Sequence, residues 1–505
     1  MSRVARATLI VAVFFGVDKV LGFVRQILVA REFGLSYQLD VFNAGNNIPD
    51  LLSALISGGA LGVALIPVLS EYLDRRGRPA AWDLFSRILN LAFIATGILS
   101  IVIAIFAVPL VQYVIAPGFP PEQQALTVSV MRLDLFAIII FSISGLVMAG
   151  LQANQHFLLP AMAPAFYNLG QIFGILVLAP TSGVSLGPIQ LPAFGLGIYG
   201  LVYGVILGAV LHLAIQIPGL IRYQFHWTPA INLRNPGVVQ VLHLLGPRIL
   251  TMFFIQIYFV ARDNLASRFG EGAVTGLNYG WFIMQVPETL IGSAIAIALL
   301  PTLSELVSRG EDQAFRDSVN RAVRVLLALT IPVAALLIVG IRPLVAGLFA
   351  FDPAGTDLVV ATTRAYLLGL TGHSLLEVGA RSFYARQDAR TPLYAAALNS
   401  GVFIVLAIWL SSRLGPAGIA LANTISFTGE ALLLLFLLNR RTPGLLRVGS
   451  TLVRVILVAV GGGLLAYGLM QLPISSLMSV LVGLGLSGLA VMPFIWPEIK
   501  LLVRL

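Results

Sequence analysis

The chain has 505 residues, of which 58% are hydrophobic and 10% charged, with a mean hydropathy of +0.94. Soluble domains carry roughly 25% charged residues, so so few charges cannot cover a globular surface and the chain must face lipid. The absence of cysteine excludes disulfides, thiolate metal sites and thiol catalysis, and the five histidines form no metal-binding pairing.

In chain order, "MSRVARATLIVAVFF" has the basic start and apolar run of a signal peptide. No small-residue cleavage site follows, so it reads as a retained first span. A span needs about 20 mostly apolar residues. By that measure fourteen begin near residues 7, 39, 86, 125, 158, 192, 236, 273, 318, 358, 391, 416, 448 and 474. Span 1 carries Asp18, Lys19 and Arg25, with Asp18 and Arg25 on one helix face, and it ends near Arg31.

Span 2, "QLDVFNAGNNIPDLLSALISGGAL", is the least expected. Asp40, Asn43, Asn47 and Asp50 fall at i, i+3, i+7 and i+10, one helix face that Ser53 continues. A charge at the bilayer centre costs about 2.5–3.5 kcal/mol on insertion scales. Such a stripe therefore predicts a hydrated central cavity. Span 6 repeats glycine at 200, 204 and 208, a pattern of close helix packing. Span 7 ends in Arg262-Asp263, placed near the outer rim. Span 8 carries Asn278, Gln285 and Glu288 on one face, and Glu288 follows Pro287 as Asp50 follows Pro49. His373 and Glu377 in span 10 stand one turn apart, which predicts a local hydrogen bond.

The chain repeats itself. "GGALGVALIPVLSEY" is echoed by "GSAIAIALLPTLSEL", and "GLQANQHFLLPAM" by "SFYARQDARTPLY". Pro67 and Pro301 are 234 apart, as are Pro109 and Pro343, while Pro160 and Pro392 are 232 apart. The expected fold class is an all-α polytopic membrane protein, two parallel six-helix repeats around a central cavity plus two C-terminal helices. The divisions fall at 1–235, 236–442 and 443–505. Lys and Arg crowd alternate connections, from Arg3 and Arg6 through Arg75, Arg76 and Arg78 to Arg440, Arg441 and Lys500. By the positive-inside rule both termini are cytoplasmic. That distribution assigns the net charge of +9 to a membrane surface and not to nucleic acid.

The words "KVLGFVRQILVAREFG", "LDVFNAGNNIPDLL", "LIPVLSEY", "LLPTLSEL" and "FYARQDARTP" resemble the MurJ (MviN) lipid II flippases of the multidrug/oligosaccharidyl-lipid/polysaccharide exporter superfamily. The resemblance covers both repeats. It implies a bacterial inner-membrane protein that moves undecaprenyl-diphosphate-linked peptidoglycan precursor to the outer leaflet by alternating access. It also implies a cationic cavity for the diphosphate and a lipid-tail groove at spans 13–14. By position, Lys19 and Arg25 match cationic positions of span 1, and Asp40 matches the acid of span 2. The chain departs from the family at Ser53, where a basic residue is usual, and at Trp281-Phe282, where an Asp-Arg pair is usual; Arg262 is the candidate substitute. The expected partners are lipid II or a related polyprenyl-diphosphate glycolipid, membrane lipids and cell-wall synthesis proteins.

No cofactor or metal is expected. No nucleotide-binding loop appears, and no acid/base pair with a nucleophile can be assembled, so an enzyme is not the reading. Two alternatives remain open: a flippase for another polyprenyl-linked oligosaccharide of O-antigen or capsule type, and a membrane scaffold for wall-synthesis enzymes.

Overall fold

The computed structural model of the chain describes residues 3–56, 60–183, 185–186, 189–444, 448–471 and 476–502. Apart from a two-residue hairpin pairing Ser185–Leu186 with Ile189–Gln190, its regular structure is helical. Hydrocarbon allows little else, because every backbone N–H and C=O must be satisfied within the segment. Among the described residues, ten helical segments are long and apolar enough to cross a membrane. The chain divides into two compact units, Met1–Asn264 and Leu265–Leu505.

The first unit contains α1 (Arg3–Phe33), α2 (Tyr37–Ile56), α3 (Ala60–Pro109), α4 (Pro121–Ala153), α5 (Leu158–Phe173), α6 (Ile198–Ala214), the short α7 (Ile217–Arg222) and most of α8 (Pro236–Ala266). Helix α3 is two helices joined at Gly77, whose φ of 78° only glycine adopts cheaply; Pro79 follows. The core of this unit joins α3, α4 and the start of α8 through Leu65, Leu69, Phe85, Leu146 and Val241. The polar loop after α7 is fixed to α3: Trp82 Nε1 donates to the Tyr223 carbonyl at 3.1 Å, and Trp227 Nε1 to Asn90 Oδ1 at 2.8 Å.

The glycine stripe of span 6 is a helix contact. A Cβ on Gly174 would lie 2.6 Å from the Gly204 Cα, so α6 and the helical turn after α5 meet backbone to backbone.

The second unit contains α9 (Ala273–Pro287), α10 (Ala294–Ser308), α11 (Asp312–Phe349), α12 (Pro353–Leu367), α13 (Leu370–Ala385), α14 (Arg390–Leu414), α15 (Pro416–Arg441), α16 (Gly449–Leu469) and α17 (Ser476–Leu502). A π-helical turn, Glu288–Ser293, links α9 to α10 just after Pro287. Such turns absorb an irregular backbone without breaking the helix. Leu299, Phe315, Leu326, Val378 and Leu434 form the main core, and α16 and α17 pack on α11 around Ala328, Val455 and Val491.

The repeated words fold alike. Gln155 and Gln387, 232 residues apart, both take a left-handed φ of 59° at the turn that precedes Pro160 and Pro392. In the second copy Asp388 fastens the turn. Its carboxylate accepts from the backbone N–H groups of Arg390 and Thr391, from the Thr391 hydroxyl at 2.6 Å and from Arg441 at 2.6 Å.

Burial alone would raise the Asp388 carboxyl. The Thr391 donors and Arg441 outweigh it and hold the group below the usual carboxylate range. A carboxyl depressed in the folded state stabilises above its ordinary value of about 3.9, and that contribution fades as pH falls through the lower folded value. Thermal melts of Asp388→Asn should therefore lie below wild type at pH 7, with the gap closing on acidification below pH 4. A gap that widens there would refute the assignment.

Gly204→Val tests the helix contact. Overpacking of this kind costs typically about 1–3 kcal/mol. The substitution should lower the melting temperature in detergent, while Gly97→Val, where nothing lies within 4 Å of the added atom, should leave it unchanged.

Candidate transport site

The polar groups of the first unit fall into a sealed cluster and an accessible one. The sealed cluster joins α2 to α8. Arg262 and Asp263 are 2% and 0% exposed, and Arg262 Nε donates to Asp263 Oδ1 at 2.7 Å. Asn47 of α2, 216 residues away, donates through Nδ2 to Asp263 Oδ2 at 2.7 Å. Both oxygens of this carboxylate are engaged, as a buried charge requires. Asn264, next in the chain, donates to the Val114 carbonyl at 2.7 Å, fixing the same end of α8 to the turn after α3. Arg262 is therefore an internal counter-ion, and its charge is already neutralised by its neighbour.

The accessible groups lie on α1 and α2. Lys19 is exposed, 3.9 Å from Asp18 and over the Phe15 ring. Asp18 turns to α5, accepting from Asn168 Nδ2 at 2.8 Å, so its partners are Lys19 and Asn168. Arg25 is half-buried, with no ion pair recorded among the described residues. Asp50 is exposed, and Ser53 and Asn43 are half-buried. Asp40 is fully buried beside them in sequence, and Arg31 is exposed at the end of α1. Pro49 leaves the Ala-Gly-Asn-Asn turn before it without one backbone hydrogen bond, so the helix can bend just above Asp50.

A further acid, Asp134 of α4, joins them. It is 1% exposed, neither carboxylate oxygen is hydrogen-bonded among the described residues, and it lies within electrostatic reach of Asp50. Tyr167 of α5 senses Arg25, Asp50 and Asp134 together. Four helices thus bring one cation, two acids and a phenol into one neighbourhood. The sequence signal for Asp134 was available: a lone acid inside the apolar run "SVMRLDLFAIII" is a functional pointer.

In the second unit Glu288 is half-buried and accepts from Ser293 Oγ at 3.1 Å, and Gln285 is exposed. Asn278 bonds its own helix at Val274. Glu377 pairs with Arg381 and not with His373, whose Nε2 meets Asn423 Oδ1 at 3.0 Å. Trp281 packs edge-on against Tyr366 and His373.

Helices α16 and α17 enclose a groove of about 930 Å³, walled by Val453, Leu457, Leu465, Ala490 and Phe494, with Arg454 at one end. The outer faces of these helices are apolar and exposed, Leu457 at 67% and Leu464 at 68%.

The fold is shared with solved flippase and multidrug transporter structures. A solved lipid II flippase MurJ in an inward closed conformation superposes with a TM-score of 0.80 at 22% identity, covering 97% of this chain and all of that one. An inward-facing MATE multidrug transporter of the MOP superfamily gives 0.71 at 16% identity, covering 85% and 95%. The family profile described as lipid II flippase MurJ matches residues 29–482. The chain belongs to that family. The lipid II flippase MurJ of Burkholderia cenocepacia is 31% identical over 477 residues, 90% of this chain and 89% of that protein. A probable lipid II flippase MurJ of Rhizobium meliloti is 30% identical over 430 residues, 83% and 77% of the two chains.

Removing one member of the sealed pair should be severe. Asp263→Ala removes the carboxylate that the buried Arg262 Nε donates to, and breaking a buried ion pair costs about 3–5 kcal/mol. The double variant Arg262→Met/Asp263→Leu should melt near wild type. Equal losses for the single and double variants would contradict the pairing.

Proposed function

We propose that this chain flips lipid II, carrying undecaprenyl-diphosphate-linked muropeptide from the inner to the outer leaflet of a bacterial inner membrane. The observation that carries the reading is the family match over residues 29–482, backed by relatives named for that activity. The transport step is alternating access by the two six-helix halves. Lys19 and Arg25 supply positive charge for the diphosphate; Asn43, Asp50 and Ser53 offer hydrogen bonds to the sugar and peptide. In the second half Gln285 and Glu288 are the candidate polar contacts for cargo. The groove of α16 and α17 takes the polyprenyl tail, since its wall is apolar and it opens among lipid-exposed side chains.

Both termini are cytoplasmic on the distribution of Lys and Arg. A membrane potential biases the movement by about 2.3 kcal/mol per elementary charge per 100 mV. Docking with cell-wall synthesis proteins is a natural extension of the same reading.

One observation favours a second substrate, another polyprenyl-linked oligosaccharide. Cations are absent at Ser53 and Trp281-Phe282, and Asp263 engages the charge of Arg262. A diphosphate held with fewer cations is held less tightly.

The experiment is replacement. In cells depleted of their own lipid II flippase, this chain should restore growth and outer-leaflet lipid II, and Arg25→Glu should abolish both. Failure to replace despite expression and membrane insertion would reject lipid II as the cargo and leave the second substrate. Survival of transport in Arg25→Glu would remove Arg25 from the diphosphate site.

A further inference from the structure

Glu498 of α17 is fully buried and receives two guanidinium groups. Arg324 of α11 donates through Nη2 at 3.0 Å, and Arg454 of α16 pairs with the same oxygen. Thr451 bridges, accepting from Arg324 Nε at 3.0 Å and lying 3.3 Å from the carboxylate. Two positive charges meet one negative charge, so the cluster holds an excess of about one elementary charge. Arg454 carries that excess outward: its side chain is 41% exposed, against 32% for Arg324, and its Nε has no partner among the described residues.

Arg454 is also the one charged side chain lining the α16–α17 groove. It sits five residues into α16, about 7.5 Å along the axis, at the end of these helices where Arg440, Arg441 and Lys500 also gather. The groove wall behind it is apolar. Val453 and Phe494 are 62% and 58% exposed, as side chains facing acyl chains are.

A groove that is greasy along its length and cationic at its basic-rich end fits an amphiphile with an anionic head. A zwitterionic or neutral lipid would fill the apolar wall and leave the excess charge unanswered. Basic pockets between membrane helices hold anionic head groups for this reason. We propose that the α16–α17 groove is a binding site for an anionic phospholipid of the bilayer, its phosphate on Arg454 and one acyl chain along Val453, Leu457 and Phe494. Binding draws Arg454 toward the head group while Arg324 stays on Glu498, so the carboxylate keeps α17 tied to α11. A polyprenyl tail entering the groove meets this lipid as a competitor. The site stands whether or not the cargo is lipid II, because lipid retention is read without transport.

The full chain, purified in a nonionic detergent, is titrated with phosphatidylglycerol, with phosphatidylcholine of the same chains, and with inorganic phosphate, and bound lipid is counted by native mass spectrometry. One phosphatidylglycerol should be retained per chain, preferred over phosphatidylcholine by about fivefold, the effect of one basic residue near a membrane surface. Inorganic phosphate should not displace it. Arg454→Gln should lose the preference, since Arg324 still neutralises Glu498 and keeps the helices together. Arg454→Lys should keep it, and so should Arg413→Gln, whose guanidinium lies over Trp409 on another helix. Equal retention of the two phospholipids by wild type, or an undiminished preference in Arg454→Gln, would overturn the site. Displacement by inorganic phosphate would overturn the role of the groove.

Discussion

Hydrocarbon leaves an ionisable side chain two tolerable surroundings, a partner or water, and that constraint sorts the charged residues of this chain. Arg262, Asp263 and Asn47 answer it by pairing, with donors matched to both carboxylate oxygens in a fully buried place. Glu498 answers it with two arginines and a threonine. Lys19 and Asp50 answer it by remaining accessible. Fully buried counter-ions such as Arg262 hold helices together and cannot also serve a passing ligand, whereas accessible charges can. The division between the two groups is thus the division between scaffold and candidate site.

The scaffold is built to bring helices close where the backbone allows it. Gly174 and Gly204 let α6 approach the helix before it until backbones touch. Each acid then follows a proline that removes one backbone hydrogen bond, Pro49 before Asp50 inside α2 and Pro287 before Glu288 where the π-helical turn begins, so the helix can bend there. A bend frees backbone groups that only a wet or protein-lined position can satisfy, which is where an acid is also least costly.

Much of this was legible in the residues. Apolar length gave the helices, the spacing of Gly200, Gly204 and Gly208 gave a close contact, and the shared words gave turns that both fold around a left-handed glutamine. The one-face stripe of α2 was legible as a stripe, but not its division. Asn47 meets an acid 216 residues away, and no spacing along one helix foretells that. His373 chose Asn423 over Glu377 for the same reason: pairing is decided across helices, not along them. Asp134 shows the opposite fault, since a single acid in a greasy run was a signal present in the sequence and passed over.

Transport depends on whether the polar face of α1 and α2 is wet, and the chain contains no cysteine of its own, so single cysteines can report on it. Single substitutions Lys19→Cys, Asp50→Cys and Ser53→Cys, treated with a water-soluble, membrane-impermeant maleimide in opened membranes, should be labelled, because the reactive thiolate forms only where water reaches it. Ile98→Cys and Ile105→Cys, at positions 57% and 66% exposed on the apolar face of α3, should stay unlabelled in lipid. Labelling of the α3 positions with silence at Asp50 would mean that the accessible acids face hydrocarbon after all, and the transport site would have no foundation.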